Sequence, residues 1–244
     1  MHLNKAPIVE ALIDLRVRLK PGADSGKLEG LAARIKDRYP TVKPMHQVAT
    51  QLQIKDDVEP VHSVSKTQIG FRFESGDGKY VLQAQTLGFT LSRLAPYETW
   101  EALFGEAKAM WEHYAAVAEP ESIERVATRY INRISIPLPI SEFEEYLTAP
   151  PVVPKGLPEF VSEYFCRTVI NDPESEGVTI FTQAFELPTP GKPALPVLID
   201  IDVFKATSLP IDGTDHWKLL SAFRDIKNTA FFASITPKTL ELLK

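Results

Sequence analysis

Two stretches of this chain alternate apolar and polar residues over a long run, and this pattern constrains the fold more than any other feature. The first covers residues 7–19 and the second covers residues 123–136. A period of two places successive side chains on opposite faces of an extended backbone, so each stretch is predicted to be a half-buried β-strand. A chain with two such strands has to bury one face of a sheet.

The elements that follow these two strands come in the same order twice. Each strand leads through proline into a helical pattern, then a block of strands, then a long helix rich in aromatic residues. The helical patterns cover 28–35 and 143–147, the strand blocks cover about 48–94 and 161–206, and the closing helices begin beside Trp100 and Trp217. The order predicts an α+β protein of two similar halves, each β-α-β3/4-α, over residues 1–120 and 121–244. We expect one compact unit with a shared, largely antiparallel sheet and its long helices packed on one face.

Composition and charge narrow the classes of partner. The chain has 244 residues, of which 44% are hydrophobic, and no apolar run approaches the length of about 20 residues that crosses a membrane. The charged N-terminus does not resemble a signal peptide, so we expect a cytoplasmic protein without a membrane partner. The net charge is −5, and the 27 Lys and Arg residues are scattered. Because nucleic-acid binding needs a concentrated positive surface, that class is disfavoured.

The usual motifs of catalysis are missing from the sequence. There is no phosphate-binding loop and no nucleophile elbow, and the five histidines are not spaced as metal ligands. The single cysteine, Cys166, lies in an apolar strand pattern and is predicted to be buried. We therefore expect no cofactor and a non-catalytic protein.

One pair of carboxylates keeps an enzymatic alternative open. Asp200 and Asp202 alternate on one strand face, about 6.5 to 7 Å apart. Together with Glu10 or Asp14 they could hold a divalent cation in a metal-assisted hydrolase. Carboxylates on a solvated sheet face are the commoner explanation of such a pair.

The second alternating strand carries the most distinctive polar residues. Arg129 and Arg133 share one face, while Tyr130 and Asn132 share the opposite, apolar face. A buried Asn needs partners for its amide, since an unpaired one costs about 1 to 3 kcal/mol. Asn132 is therefore predicted either to join neighbouring backbone segments or to bind a ligand in a cavity lined by the sheet.

The polar face of the sheet is the predicted binding surface. If the two alternating strands are equivalent, Glu10, Asp14 and Arg16 lie on the same surface as Arg129 and Arg133. Arginines among hydrogen-bonding groups suit an anionic small molecule or an extended peptide. The competing interpretation is a solvated face with exposed ion pairs of little energetic consequence.

Three segments resemble a known group of proteins. They are Asn4–Ala11 with an AP-I-VEA motif, Arg129–Ile134 with an RY-x-NRI motif, and Phe231–Thr236 in the closing helix. The chain resembles a sporadically distributed bacterial family of uncharacterised proteins, which implies an accessory protein, often associated with defence or toxin–antitoxin systems. The family pattern includes Pro7, Glu10, Arg129, Tyr130 and Asn132 without assigning them roles.

The order of elements is also similar to the duplicated TATA-binding-protein-like folds and to the helix-grip folds. In the first group an open sheet face binds a macromolecule, and in the second a long helix closes a ligand cavity against the sheet. This likeness concerns architecture and does not assign a function.

Taken together, the sequence predicts a non-catalytic binding module that recognises a protein partner or a small anionic ligand through the polar sheet face. A homodimer is compatible with the pattern. The predicted binding residues are Arg129, Arg133, Tyr130, Asn132, Glu10, Asp14 and Arg16.

Overall fold

The computed structural model describes residues 3, 5–22, 24–55, 58–158, 161–188, 191 and 193–244. The strands are β1 (Ile8–Leu19), β2 (Thr41–Lys55), β3 (Val58–Glu74), β4 (Tyr80–Gln85), β5 (Gly88–Leu94), β6 (Pro120–Pro137), β7 (Phe165–Asp172), β8 (Gly177–Phe185) and β9 (Ala194–Leu209). The helices are α1 (Gly30–Ile35), α2 (Trp100–Ala118), α3 (Asp215–Ser234) and α4 (Pro237–Leu242), with 3-10 helices at Ser25–Glu29 and Phe143–Glu145.

These strands form a single sheet in the order β2-β3-β4-β5-β1-β6-β9-β8-β7. Every neighbouring pair is antiparallel. The two long alternating strands, β1 and β6, are neighbours near the centre, where Leu12 faces Arg129 and Asp14 faces Ala127. The predicted boundary between the halves falls at the start of β6, and the similarity of the two halves stays a prediction.

The predicted fold class is wrong. The described part of the chain is 45% strand and 26% helix, so it is mostly one large antiparallel sheet rather than an α+β protein with long helices on one face. One cause is that β2 and β3 run for 15 and 17 residues, although their polar sequence and the internal Pro44 hide this length. A second cause is that the predicted helices at 28–35 and 143–147 shrink to the short α1 with its 3-10 turn and to three residues of 3-10 helix.

The core lies on the side of the sheet that contacts α2 and α3. Ala11, Ile13, Leu15 and Val17 of β1 alternate inwards and are almost completely buried. They join the apolar residues of β6, β9 and both helices in one cluster. Because each fully buried aliphatic side chain contributes about 1.5 to 3 kcal/mol, this cluster is the main stabilising element of the fold.

The two longest described helices contact each other through aromatic side chains. Phe104 of α2 meets Trp217 of α3 edge-on, with ring centroids 5.5 Å apart, and Trp111 lies 6.0 Å from the ring of His216. Thr99 caps α2 by accepting a hydrogen bond from the Ala102 amide at 3.1 Å. These contacts fix the start of α2 beside α3.

None of the described helices combines the length and the apolar composition that a membrane span requires.

Cys166 departs from the prediction of a buried cysteine. It lies in β7, which is an edge strand of the sheet, and it is half-buried. Neighbouring β7 side chains are more exposed still, with Phe165 at 70%. The apolar residues of this edge strand are therefore not buried, and this is why the prediction for Cys166 is wrong.

Candidate functional site

The sheet divides the predicted binding residues between its two faces. Glu10, Asp14 and Arg16 of β1 alternate away from the core, as do Arg129 and Arg133 of β6. The other two predicted residues point towards the helices: Tyr130 is 0% exposed and Asn132 is 3% exposed. One site cannot therefore contain all seven residues.

On the outer face, the arginines of β6 are paired with carboxylates of the neighbouring strands. Arg125 lies 2.7 Å from Asp14 of β1 and 3.2 Å from Asp202 of β9, with its guanidinium 4.3 Å above the Phe204 ring centroid. Arg129 donates to Asp200 at 2.8 Å. This bond is the main cause that raises the pKa of Arg129.

The ends of the same outer surface are more exposed. Arg133 pairs with Glu186 at 2.6 Å, and its side chain is 50% exposed. Arg16 lies 3.8 Å from Asp14, and Glu10 is half-buried on the same face. Because Arg129 and Arg133 each already have a carboxylate partner, an anion would have to displace one to bind them.

The carboxylates considered for a metal site are engaged in the same ion pairs. Asp200 is bound by Arg129 and Asp202 by Arg125. Burial raises the pKa of Asp202, although the two arginines oppose that rise. In the part of the chain that the structure describes, no group of three or more His, Cys, Asp or Glu residues could hold a metal ion.

A cavity of about 350 Å³ lies on the opposite, helix-covered side of the sheet. Its walls come from the N-terminal segment, the start of α2, β6 and α3. The polar and aromatic lining residues are Tyr97, Glu98, Thr99, Trp100, Glu101, Asn132, Arg224, Lys227, Asn228, Phe231 and Phe232. A pocket of this size with a few convergent polar groups is typical of small-molecule sites.

Lys227 is the most unusual group in this cavity. It is 8% exposed, and its Nζ lies 3.6 Å from the centroid of the Tyr130 ring and 2.7 Å from Asn228 Oδ1. No carboxylate of the described residues lies within 4.0 Å of this Nζ. Burial, helped by the nearby Arg224, lowers the pKa of Lys227 to about 7. The group is therefore divided between ammonium and free amine near neutral pH.

The other charges around the cavity are already compensated. Arg224 pairs with Glu101 at 3.3 Å. Glu98 accepts a hydrogen bond from Arg93 at 2.9 Å and also lies 3.6 Å from Lys79. Lys227 is thus the charged group of the cavity that has no ion-pair partner among the described residues.

Two tyrosines form a hydroxyl pair beside Lys227. The hydroxyl oxygens of Tyr97 and Tyr130 are 3.0 Å apart, and the rings meet edge-on at 5.7 Å. Burial raises the pKa of Tyr97 to about 12 and that of Tyr130 well above its ordinary value. Both phenols therefore stay protonated at neutral pH and present neutral hydrogen-bonding groups.

Asn132 joins the cavity to the sheet. Its Nδ2 donates to the backbone carbonyl of Ile199 at 3.0 Å and, at the longer distance of 3.4 Å, to that of Tyr130. The bond to Ile199 joins β6 to β9, which is the contact with a neighbouring strand that the first sequence interpretation describes. The residue also lines the cavity, so its Oδ1 remains a candidate acceptor for a ligand.

Sequence reasoning missed Lys227, Arg224 and Asn228. A signal was present, because the buried positions of α3 recur at helical spacing and include Lys227 among apolar side chains. Those positions are His216, Leu220, Phe223, Lys227, Phe231 and Ser234. A lysine on the apolar stripe of a helix has to be neutral, paired or functional.

Comparison of the chain with protein-family models, with curated proteins and with solved structures finds no match. Of the residues that carry the sequence resemblance, Pro7 and Asn132 line the cavity and Tyr130 lies against Lys227. Glu10 and Arg129 lie on the outer face of the sheet.

Proposed function

We propose that this chain is a cytoplasmic binding module that takes a small anionic ligand in the Lys227 cavity. The observation that supports it is a buried lysine, 8% exposed, that lines a cavity and has no carboxylate partner among the described residues. A buried ammonium without a counter-ion is costly, and a bound anion would remove that cost.

The surrounding groups can orient such an anion. An ammonium has three N–H donors, and Lys227 uses one of them on Asn228. Arg224 lies one turn away on the same face of α3 and adds a guanidinium to the same wall. Phe231 and Trp100 supply apolar contact for the carbon skeleton of the ligand. The set suits a small carboxylate better than a bulky or polyanionic molecule.

This proposal moves the ligand from the outer sheet face to the helix-covered side. On the outer face Arg129 and Arg133 are paired with Asp200 and Glu186, whereas Lys227 has no carboxylate partner in the part of the chain that the structure describes. The ligand therefore gains more from the cavity, where it completes a charge pair instead of breaking one.

The proposal is tested by titrating the purified chain with acetate, lactate, succinate and inorganic phosphate while the melting temperature and the heat of binding are measured. At least one of the carboxylates should bind, and Lys227→Met should weaken it by tenfold or more, equivalent to about 1.4 kcal/mol. Lys218→Met is the matched control, because Lys218 lies on the same helix with its side chain 74% exposed.

The pH dependence of binding sharpens this test. The ammonium form is the one that holds the anion, so affinity should fall as pH rises above the Lys227 pKa of about 7. The loss should approach tenfold for each pH unit. Binding that is indifferent to Lys227→Met, or no binding up to about 10 mM of any of these anions, would contradict the proposal.

A further inference from the structure

We propose that Lys227 forms an imine with the carbonyl carbon of a small oxo acid held in this cavity. The inference rests on the proposed function, because the carboxylate of the oxo acid is the anion that the cavity takes. It adds a ligand class to that function: acids that carry a carbonyl group next to the carboxylate.

The placement of two side chains on α3 supports this class. Arg224 and Lys227 both line the cavity and are spaced i, i+3, so their side chains leave the helix as neighbours about 5 to 6 Å apart. A 2-oxo acid has its carboxylate and its carbonyl on adjacent carbon atoms. Arg224 contacts Glu101 at 3.3 Å through Nη2, and the remaining N–H donors of its guanidinium can hold the carboxylate. The amine then meets the carbonyl carbon, which is the orientation that the reaction needs.

The amine also lies where it can be uncharged. Nζ lies over the face of the Tyr130 ring, 3.6 Å from its centroid. None of the described carboxylates is close enough to hold its proton. Arg224 repels that proton, while the more weakly acting Asp225 retains it. Tyr97 and Tyr130 stay protonated, and Glu98 and Glu101 of the same cavity are paired with Arg93 and Arg224.

The free amine is the reactive form in imine chemistry. With a pKa of about 7, most of Lys227 is free amine at about pH 7.5, whereas an exposed lysine of ordinary pKa is almost entirely protonated. The difference in free-amine fraction is on the order of 500-fold. Lys227 should therefore react well before surface lysines do.

The step is balanced without any co-reactant. The Nζ lone pair attacks the carbonyl carbon to form a carbinolamine, which then loses its hydroxyl group as water. A carbon–nitrogen double bond replaces the carbon–oxygen double bond, and the carbonyl oxygen leaves with the two amine protons. The imine nitrogen then takes a proton from water, and the protonated imine lies over the face of Tyr130, where a cation is stabilised by the ring.

The experiment traps this imine by reduction. The purified chain is incubated with pyruvate and sodium cyanoborohydride at about pH 7.5, and the adduct is found by intact-mass measurement and peptide mapping. We expect one main adduct on Lys227. When pyruvate is replaced by lactate, which has no keto carbonyl, the amount of adduct at Lys227 should fall by at least tenfold. Mapping separates Lys227 from the N-terminal amine, which also has a pKa near 7.7 to 8.0.

Two variants complete the test. Lys227→Arg keeps a positive charge but cannot form an imine, so the main adduct should disappear, while Lys218→Arg should leave it unchanged. Peptide mapping of the wild-type chain gives the answer without any variant. Adduct spread evenly over surface lysines, or equal labelling of Lys227→Arg, would overturn the inference.

The two proposals fail in different ways. If lactate binds at the cavity in a manner that depends on Lys227 but pyruvate gives no adduct there, the imine is wrong and the anion site stands. If lactate does not bind and pyruvate gives no adduct on Lys227, both proposals are wrong. A Lys227 adduct whose formation is slowed by excess lactate would support both.

Discussion

At the level of single residues, the buried amine of Lys227 couples folding to protonation. Its pKa falls from 10.5 to about 7 on folding, so between these values the unfolded chain binds a proton that the folded chain lacks. Stability therefore rises with pH across this window, by up to about 1.4 kcal/mol per pH unit. Below pH 7 both states are protonated, and the folded chain keeps the full cost of the buried charge.

Lys227→Met removes this dependence while keeping an unbranched apolar side chain at the position. Measured by urea denaturation without ligand, the variant should be more stable than the wild type at about pH 7.5. That advantage should shrink by about 1 to 3 kcal/mol by about pH 9.5. Lys218→Met should follow the wild-type curve throughout. A constant difference between Lys227→Met and the wild type would mean that Lys227 is not deprotonated in the folded chain.

At the level of elements, the ion pairs of Arg125 connect the three central strands. Its guanidinium contacts Asp14 of β1 and Asp202 of β9, and all three side chains are about one-fifth exposed, at 22%, 17% and 21%. Removing the arginine leaves the half-buried Asp202 without its ion-pair partner and leaves Asp14 with only the longer contact to the exposed Arg16, at 3.8 Å. Arg125→Ala should therefore cost about 1 to 3 kcal/mol of unfolding free energy.

Arg133 of the same strand is the matched comparison. Its side chain is 50% exposed and contacts a single carboxylate, so Arg133→Ala should change stability by less than about 0.5 kcal/mol. Adding Asp202→Asn to Arg125→Ala should restore part of the loss by removing one unpaired charge. Equal costs for Arg125→Ala and Arg133→Ala, in the same urea measurement, would mean that the central ion pairs do not stabilise the sheet.

The same elements show what the sequence could predict and what it could not. The alternation in β1 and β6 identified both strands and the face on which Tyr130 and Asn132 are buried, because one face of each strand packs on the core. The prediction of the fold class failed at the exposed strands, because a strand that buries neither face shows no alternation of apolar and polar residues. Much of β2 is exposed, so the full length of the β2–β3 pair could not be recovered from hydrophobic periodicity.

The site shows the same limit in another form. Arg129 and Asp200 belong to different strands, and only the register of β6 against β9 brings their side chains together. The cavity draws on residues as distant in sequence as Pro7 and Lys227. The sequence shows a lysine on the apolar stripe of α3. Its contact with the Tyr130 ring depends on tertiary packing, which the sequence does not show.

At the level of the whole molecule, the shared core should make the chain unfold as one unit. A single apolar cluster contains β1, β6 and β9 together with both long helices. The aromatic contact between Phe104 and Trp217 joins the two predicted halves again on the helical side. Separating the halves would expose the paired edges of β1 and β6 and split this cluster, so neither half has an independent core to retain.

The three tryptophans allow this to be measured on each side of the predicted boundary. Trp217→Phe leaves reporters on α2 alone, and the double variant Trp100→Phe, Trp111→Phe leaves the reporter on α3. Within each variant, the urea midpoint from fluorescence should coincide with that from far-UV circular dichroism, which follows the helices and strands of both predicted halves together. Each substitution can shift stability, so the comparison is made within a variant and not between variants. If the α2 reporters and the α3 reporter each departed from the circular dichroism curve of their own variant, in opposite directions, the halves would be separate folding units, and the β1–β6 pairing would be an interface between domains.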